Sequence, residues 1–195
     1  MAEPRLKKIS REDVVDAAVA IGDADGLGAV SLSAIAARLG CTPPSLYTHV
    51  ASLNDLFEAL TTRCTGELAD QLRDAVMGRS GEDGIRAFAQ AWREYARTFP
   101  NRYAAVWLAS ESENKSRTDA ASIGIRAGAA VLRSLGIPEE TVPTASLAFR
   151  SMLQGFAQIE SETQTGRLLP KEADAGFEYL LDVLISGVRN KSSSD

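Results

Sequence analysis

Residues 31–57 read SLSAIAARLGCTPPSLYTHVASLNDLF, and this stretch decides the fold. Leu32, Ile35, Ala36 and Leu39 recur at the spacing of one helical face, and Ser31 stands before them as an N-cap acceptor. Gly40 follows the last apolar position, where a left-handed residue closes a helix. Thr42 then caps a second short helix, with Pro43 and Pro44 in its first turn, where a missing N–H costs nothing. In that helix, running to about Val50, Leu46 and Val50 point inward, leaving Thr42, Pro44, Ser45, Tyr47, Thr48 and His49 on the outer surface. Ser52 caps a long helix through Leu53, Leu56, Phe57, Leu60 and Leu68 to about Met77. Two short helices joined by a tight Gly-containing turn make a helix-turn-helix, whose second helix fits the major groove of duplex DNA. The outward hydroxyls, imidazole and apolar patches suit base edges, thymine methyls and phosphates.

Working outward, Ser10 and Asp13 have capping-box spacing ahead of the stripe Val14, Ala17, Ala18 and Ile21, which stops at Asp25-Gly26-Leu27-Gly28. Beyond Arg79-Ser80-Gly81, helical spacing returns in Ile85, Phe88, Ala89, Trp92, Tyr95, Ala96 and Phe99 until Pro100. A shorter helix carries Tyr103, Val106 and Trp107; three more span about 117–135, 139–163 and 171–189. The expectation is an all-α chain of about nine helices. Residues 1–51 form a three-helix DNA-binding domain with a basic arm, residues 52–190 a helical bundle for ligand binding and dimerisation, and 191–195 a disordered tail.

Composition agrees. Of 195 residues, 45% are hydrophobic, ample for a core, and Ala and Leu dominate while β-branched residues come singly. The net charge of −5 speaks against nucleic acid only when averaged over the chain; screening limits a charge's reach to about 8 Å. Arg5, Lys7, Lys8 and Arg11 gather without an acid between them, a short basic arm. No run approaches the ~20 apolar residues of a membrane span, and the charged N-terminus lacks an apolar signal core, so a cytoplasmic protein is expected. Cys41 and Cys64 make no disulfide framework and have no ligand partners at metal spacing. They are expected to be small buried apolar side chains, and neither metal nor cofactor is called for.

On Ile35-Ala36-Ala37-Arg38-Leu39-Gly40, Ser45-Leu46-Tyr47-Thr48-His49-Val50 and Asn54-Asp55-Leu56, with the Val14–Ala18 stripe and Gly28-Ala29-Val30-Ser31-Leu32 upstream, the chain resembles the tetracycline-repressor (TetR) family of transcription regulators. The resemblance covers about the first 65 residues. It implies a three-helix DNA-binding domain joined through the fourth helix to a ligand-binding, dimer-forming domain. Carried over by position, Tyr47 and His49 become phosphate contacts, Ser45, Thr48 and the turn Thr42, Pro43 and Pro44 become base readers, and Ser31 a phosphate contact at a helix N-terminus. One departure is Leu53, where many members carry Lys or Arg. The recognition helix also has no Lys or Arg, so neutralisation of phosphate rests largely on Arg5, Lys7 and Lys8.

His49 is the lone histidine, and no Ser or Cys nucleophile constellation accompanies it, so catalysis is not expected. The aromatic stripe Trp92, Tyr95, Phe99, Tyr103 and Trp107, facing Phe149, Met152, Leu153 and Phe156, could enclose a cavity for a small apolar or aromatic effector. Glu111, Glu113, Glu160 and Glu162 could attract a cation, but alternating carboxylates at helix ends ordinarily read as solvated. Apolar residues on the last helix cover more than one face, and Phe177, Leu181, Leu184 and Val188 are the expected dimer contacts. The expected function is a homodimeric repressor on a palindromic operator, released by a small molecule. The alternative keeps the DNA-binding part and leaves the C-terminal domain only dimerisation or protein interaction.

Overall fold

The computed structural model describes residues 9–108, 114–161 and 169–192. Arg5, Lys7, Lys8, Glu111, Glu113 and Glu162 lie outside them. The described residues form nine α-helices and no strand: α1 (Arg11–Asp25), α2 (Leu32–Leu39), α3 (Pro43–Leu46), α4 (Leu53–Val76), α5 (Gly81–Thr98), α6 (Pro100–Val106), α7 (Lys115–Arg133), α8 (Val142–Glu160) and α9 (Pro170–Ser192). Two 3-10 turns, Leu27–Ala29 and Glu139–Thr141, precede α2 and α8. Lys191 and Ser192, expected in a frayed tail, continue the last helix. No helix among the described residues is long and apolar enough to cross a membrane.

The chain divides into two compact units. The described parts of Met1–Cys64 and Asn101–Asn114 form the first; those of Thr65–Pro100 and Lys115–Asp195 form the second. Helix α4 contributes to both.

In the first unit α2 packs on α1 and α3. Val14 and Ala18 from α1, Ile35 from α2, Leu46 from α3 and Leu56 from α4 are fully buried, and Val50 and Leu60 nearly so. Each Val, Leu or Ile among them contributes roughly 1.5–3 kcal/mol when taken out of water. Helix α1 opens with the expected capping box: Ser10 accepts from the Asp13 amide, and Asp13 accepts from the Ser10 amide at 2.9 Å. Among the ion pairs that tie α1 down are Arg63 of α4 to Asp16 and Arg102 of α6 to Asp23, the latter through Nε at 3.0 Å and Nη2 at 2.6 Å to Oδ2.

The second unit is built on contacts of α5 with α7 and α8, of α7 with α8, and of α8 with α9. Its core is aromatic: Phe88 meets Phe149 at 5.4 Å between ring centres, and Phe156 meets Phe177 at 5.2 Å. Gly128 permits the closeness of α5 to α7, because a Cβ there would stand 3.2 Å from Phe88 Cζ. Cys64 is buried as expected, whereas Cys41 is only half-buried, and neither forms a disulfide.

Candidate nucleic-acid interface and ligand groove

The first unit displays its helix-turn-helix as the apolar spacing requires. Ser31 caps α2 by accepting from the Ala34 amide at 3.2 Å. That leaves the Ser31 O–H as a donor at a helix N-terminus, where unpaired amides favour anions. Gly40 closes α2 at φ 68°, a left-handed conformation that glycine alone adopts without a Cβ penalty. Thr42 occupies the N-cap of α3, yet its side chain caps nothing. The first two helical residues are prolines without N–H groups, so the first amide needing a partner is that of Ser45, and the Thr42 carbonyl takes it at 3.0 Å.

Helix α3 is shorter than the expected run to Val50. It ends at Leu46, and residues 47–49 continue as turns. Side-chain hydroxyls explain this: Ser45 Oγ donates to the Thr42 carbonyl at 2.7 Å and Thr48 Oγ1 to the Ser45 carbonyl at 2.8 Å, both three residues back. Such back-bonding competes with the regular helical ladder. The burial pattern nevertheless persists. Leu46 and Val50 point into the core, while Thr42, Pro43, Pro44, Ser45 and Thr48 are exposed, Tyr47 is 57% exposed and His49 is half-buried.

Arg11 departs from the expected basic arm. Its Nη1 donates to the His49 carbonyl at 2.6 Å, and the guanidinium grips Asp55 through Nη1 at 3.0 Å and Nη2 at 2.6 Å. Asp55 also accepts from the Ala51 amide at 2.8 Å. One ion pair thus fastens the start of α1, the end of the recognition segment and the first turn of α4. Hydrogen bonding from Arg11, helped by the Ala51 amide, holds the Asp55 carboxyl below its ordinary range. The Arg11 charge is therefore spent internally, and its sequence position beside Lys8 gives no hint of that. Arg38, on the exposed face of α2, forms no ion pair among the described residues; sequence reasoning assigned it no role. Leu53, the departure noted from the sequence, is 42% exposed in the first turn of α4.

The second unit holds a groove of about 370 Å³ between α5, α7 and α8. Its floor includes Phe88, Trp92, Leu132, Val142 and Phe149, and its polar residues are Arg133, Ser146 and Arg150. Of the nine residues expected around one aromatic cavity, Trp92 and Phe149 line it. The others are distributed elsewhere. Tyr95 is buried, stacks on Phe99 at 5.5 Å and shares a hydrogen bond with Glu67. Leu153 is core, Met152 is half-buried, and Phe156 packs on Phe177. Tyr103 and Trp107 belong to the first unit and meet edge-on at 5.9 Å. The stripe is split because the helix breaks at Phe99 (φ −127°, ψ 62°), placing the last two aromatics on α6.

Glu160 reverses its expected role. It is not solvated but 6% exposed, and it takes two hydrogen bonds from Arg93 Nε, at 2.9 and 3.0 Å. Arg93 Nη2 also reaches Asp174 at 2.6 Å, and the guanidinium carbon lies 4.6 Å from the Phe177 ring centre. Burial disfavours the Arg93 charge, but the bonds to Glu160 and Asp174 more than offset it, and its pKa is raised. This cluster joins α5, α8 and α9.

On α9, Phe177 and Leu181 are spent in the chain's own core, and Leu184 and Val188 are half-buried. The outward apolar surface of that helix is instead Tyr179, 72% exposed, with Val183. An apolar residue on every face does not reveal which arc turns inward.

Among the described residues no group of His, Cys, Asp and Glu could hold a metal ion. Residues 14–60 match the family described as bacterial regulatory proteins, tetR family, and residues 85–184 match the tetracyclin repressor-like C-terminal domain. The chain belongs to the TetR family. It is similar to the HTH-type transcriptional regulator Rv0681 of Mycobacterium tuberculosis, 33% identical over 190 residues that cover 97% of this chain and 86% of that protein. The regulator YobS of Bacillus subtilis is 30% identical over 95% of this chain and 92% of its own length. In fold the chain is similar to the crystal structure of a single-residue variant of TetR from Acinetobacter baumannii in complex with minocycline. That likeness has a TM-score of 0.69 at 21% identity, over 96% of this chain and all of the other. TetR proteins are DNA-binding regulators of transcription, not enzymes.

Proposed function

We propose that this TetR-family protein is a homodimeric, cytoplasmic repressor that holds a palindromic operator and leaves it when a small molecule occupies the α5–α7–α8 groove. Residues 1–51 read the DNA, and residues 52–190 dimerise and sense. The observation that carries the DNA-binding part is the recognition segment itself, with Leu46 and Val50 sunk in the core and Tyr47 turned out. Tyr47, His49 and Ser31 contact phosphate, as do Arg5, Lys7 and Lys8 of the arm and exposed Arg38. Thr42, Pro43, Pro44, Ser45 and Thr48 face base edges. With no cation in the segment to grip guanine, readout rests on hydroxyls and apolar contact, each worth less than a bidentate Arg pair.

The dimer uses the outward faces of α8 and α9. Ile159, Tyr179 and Val183 are all at least half exposed in the single chain, and half-buried Leu184 and Val188 flank them. Burying that surface against its symmetric copy makes a four-helix bundle. A two-fold dimer presents two recognition segments to half-sites about one DNA turn apart. The groove supports the sensing role, as does the solved relative in fold that is in complex with minocycline.

Genomic footprinting with the purified chain identifies the operator. On that operator, Tyr47→Ala with His49→Ala abolishes specific binding while sedimentation shows an unchanged dimer. A double variant that binds normally overturns the interface assignment.

A further inference from the structure

The groove that the proposed function makes the effector site has a charge character as well as a shape. Its floor is aromatic and aliphatic, but two guanidiniums line it, Arg133 and Arg150, and no carboxylate does. Arg133 is already neutralised: its Nε and Nη2 donate to Glu139 at 2.7 and 2.6 Å. Arg150, exposed on α8, forms no ion pair among the described residues. The lining therefore carries one net uncompensated positive charge. A second polar observation comes from the wall. Ser146 Oγ, one turn before Arg150 on α8, is shielded from solvent and has no hydrogen-bond partner. A buried hydroxyl without a partner is unfavourable, and an occupant with an acceptor removes that cost.

We propose that the effector is an amphipathic carboxylic acid. This rests on the groove being the effector site and names the class of molecule it takes. Its apolar body lies on Phe88, Trp92, Leu132 and Phe149, its carboxylate accepts from Arg150, and Ser146 turns its hydroxyl to the same acid group. A cationic amphipath is opposed, because the lining offers it no acid and the one uncompensated charge there is the guanidinium of Arg150. A neutral amphipath of the same shape keeps the apolar contacts but leaves Arg150 solvated as before, and so binds more weakly. The volume of about 370 Å³ suits a single ring with a short chain, or a medium-length alkyl chain.

The test uses the full chain carrying Trp107→Phe, so that Trp92 in the groove is the sole tryptophan. Its fluorescence is titrated with three matched series: aryl- and alkyl-alkanoic acids, their primary amides and the corresponding amines. The acids should bind at least tenfold more tightly than their amides, with amines weakest, and the margin should shrink with added salt because Arg150 sits at the solvent edge. Arg150→Gln, at an exposed position that leaves the core untouched, should bring acid and amide to equal affinity. Amides binding as tightly as acids in the parent chain, or an acid margin that survives Arg150→Gln, would overturn the acid class while leaving the groove as the site. If no member of any series perturbs Trp92 at millimolar concentration, the groove reading falls with it.

Discussion

Glu160→Ala tests how the second unit is held together. The substitution removes three of the four charge-assisted hydrogen bonds that Arg93 makes to Glu160 and Asp174. It leaves a guanidinium that is only 5% exposed. Removing one partner of a buried ion pair costs about 3–5 kcal/mol, mostly because the remaining charge is stranded. Here Asp174 stays within 2.6 Å, and the Phe177 ring still faces the cation at 4.6 Å. These keep the loss at the lower end, about 3 kcal/mol. With a urea slope of about 2–3 kcal/mol/M, the midpoint should drop by roughly 1–1.5 M. Trp92 fluorescence in the Trp107→Phe background reports the unfolding of this unit alone. The compensating double variant, Arg93→Met with Glu160→Leu, removes both charges and should return to within about 1 kcal/mol of the parent. If Glu160→Ala costs less than about 1 kcal/mol, or if the double variant is worse than either single one, the pair is not the fastening described above.

Three further outcomes are expected. Deleting residues 1–8 and replacing Arg38 by Gln should each flatten the salt dependence of operator binding, by close to one in log–log slope for Arg38→Gln; an unaltered slope would show that these cations do not touch phosphate. Tyr179→Glu with Val183→Glu should yield monomers by sedimentation with helicity intact, whereas a surviving dimer would move the interface off α9. Asp55→Asn should cost about 0.5–1 kcal/mol at neutral pH, the scale of a partly exposed pair. Because the folded Asp55 carboxyl titrates below its unfolded value, that advantage is present above the ordinary carboxylate range and is lost as pH falls through the folded pKa. The parent and Asp55→Asn stabilities should therefore converge under acid; a gap that persists there would mean Arg11 is not the cause.

What could be read from the sequence was local. Ser10 and Asp13, Ser31, Gly40 and the prolines at 43 and 44 act through atoms within four residues, so their spacing alone specifies the caps, and each is found in its place. The alternation of Leu46 and Val50 inward with Tyr47 outward likewise needs only the helical period. Long-range pairing was hidden. Arg93 and Glu160 are 67 positions apart, and nothing in a charged residue on an otherwise polar stretch says that its partner waits on another helix. Arg11 and Asp55, 44 apart, show the same blindness: a cation in a basic run reads as a ligand for phosphate until a carboxylate from α4 claims it. The aromatic stripe misled for a different reason. Its spacing reads as one stripe across the break expected at Pro100, but the side chains before and after that break belong to separate units.

The groove and the buried cluster share one helix, which offers the proposed release a mechanical route. Phe149 and Arg150 border the groove in the first half of α8, while Glu160 ends the same helix in Arg93's grip. At 1.5 Å per residue, about 16 Å of helix separates Phe149 from Glu160. If an effector fills the groove as proposed, its push on Phe149 acts on a helix whose far end is held by the Arg93–Glu160–Asp174 cluster. Ile159, beside that cluster, lies on the face proposed to meet the partner subunit. The energy required is modest. Lowering operator affinity a hundredfold needs an effector that favours the wrongly spaced arrangement by about 2.7 kcal/mol. One charge-assisted contact at Arg150 together with relief of the unpaired Ser146 hydroxyl is of that size, provided both are made in only one of the two arrangements.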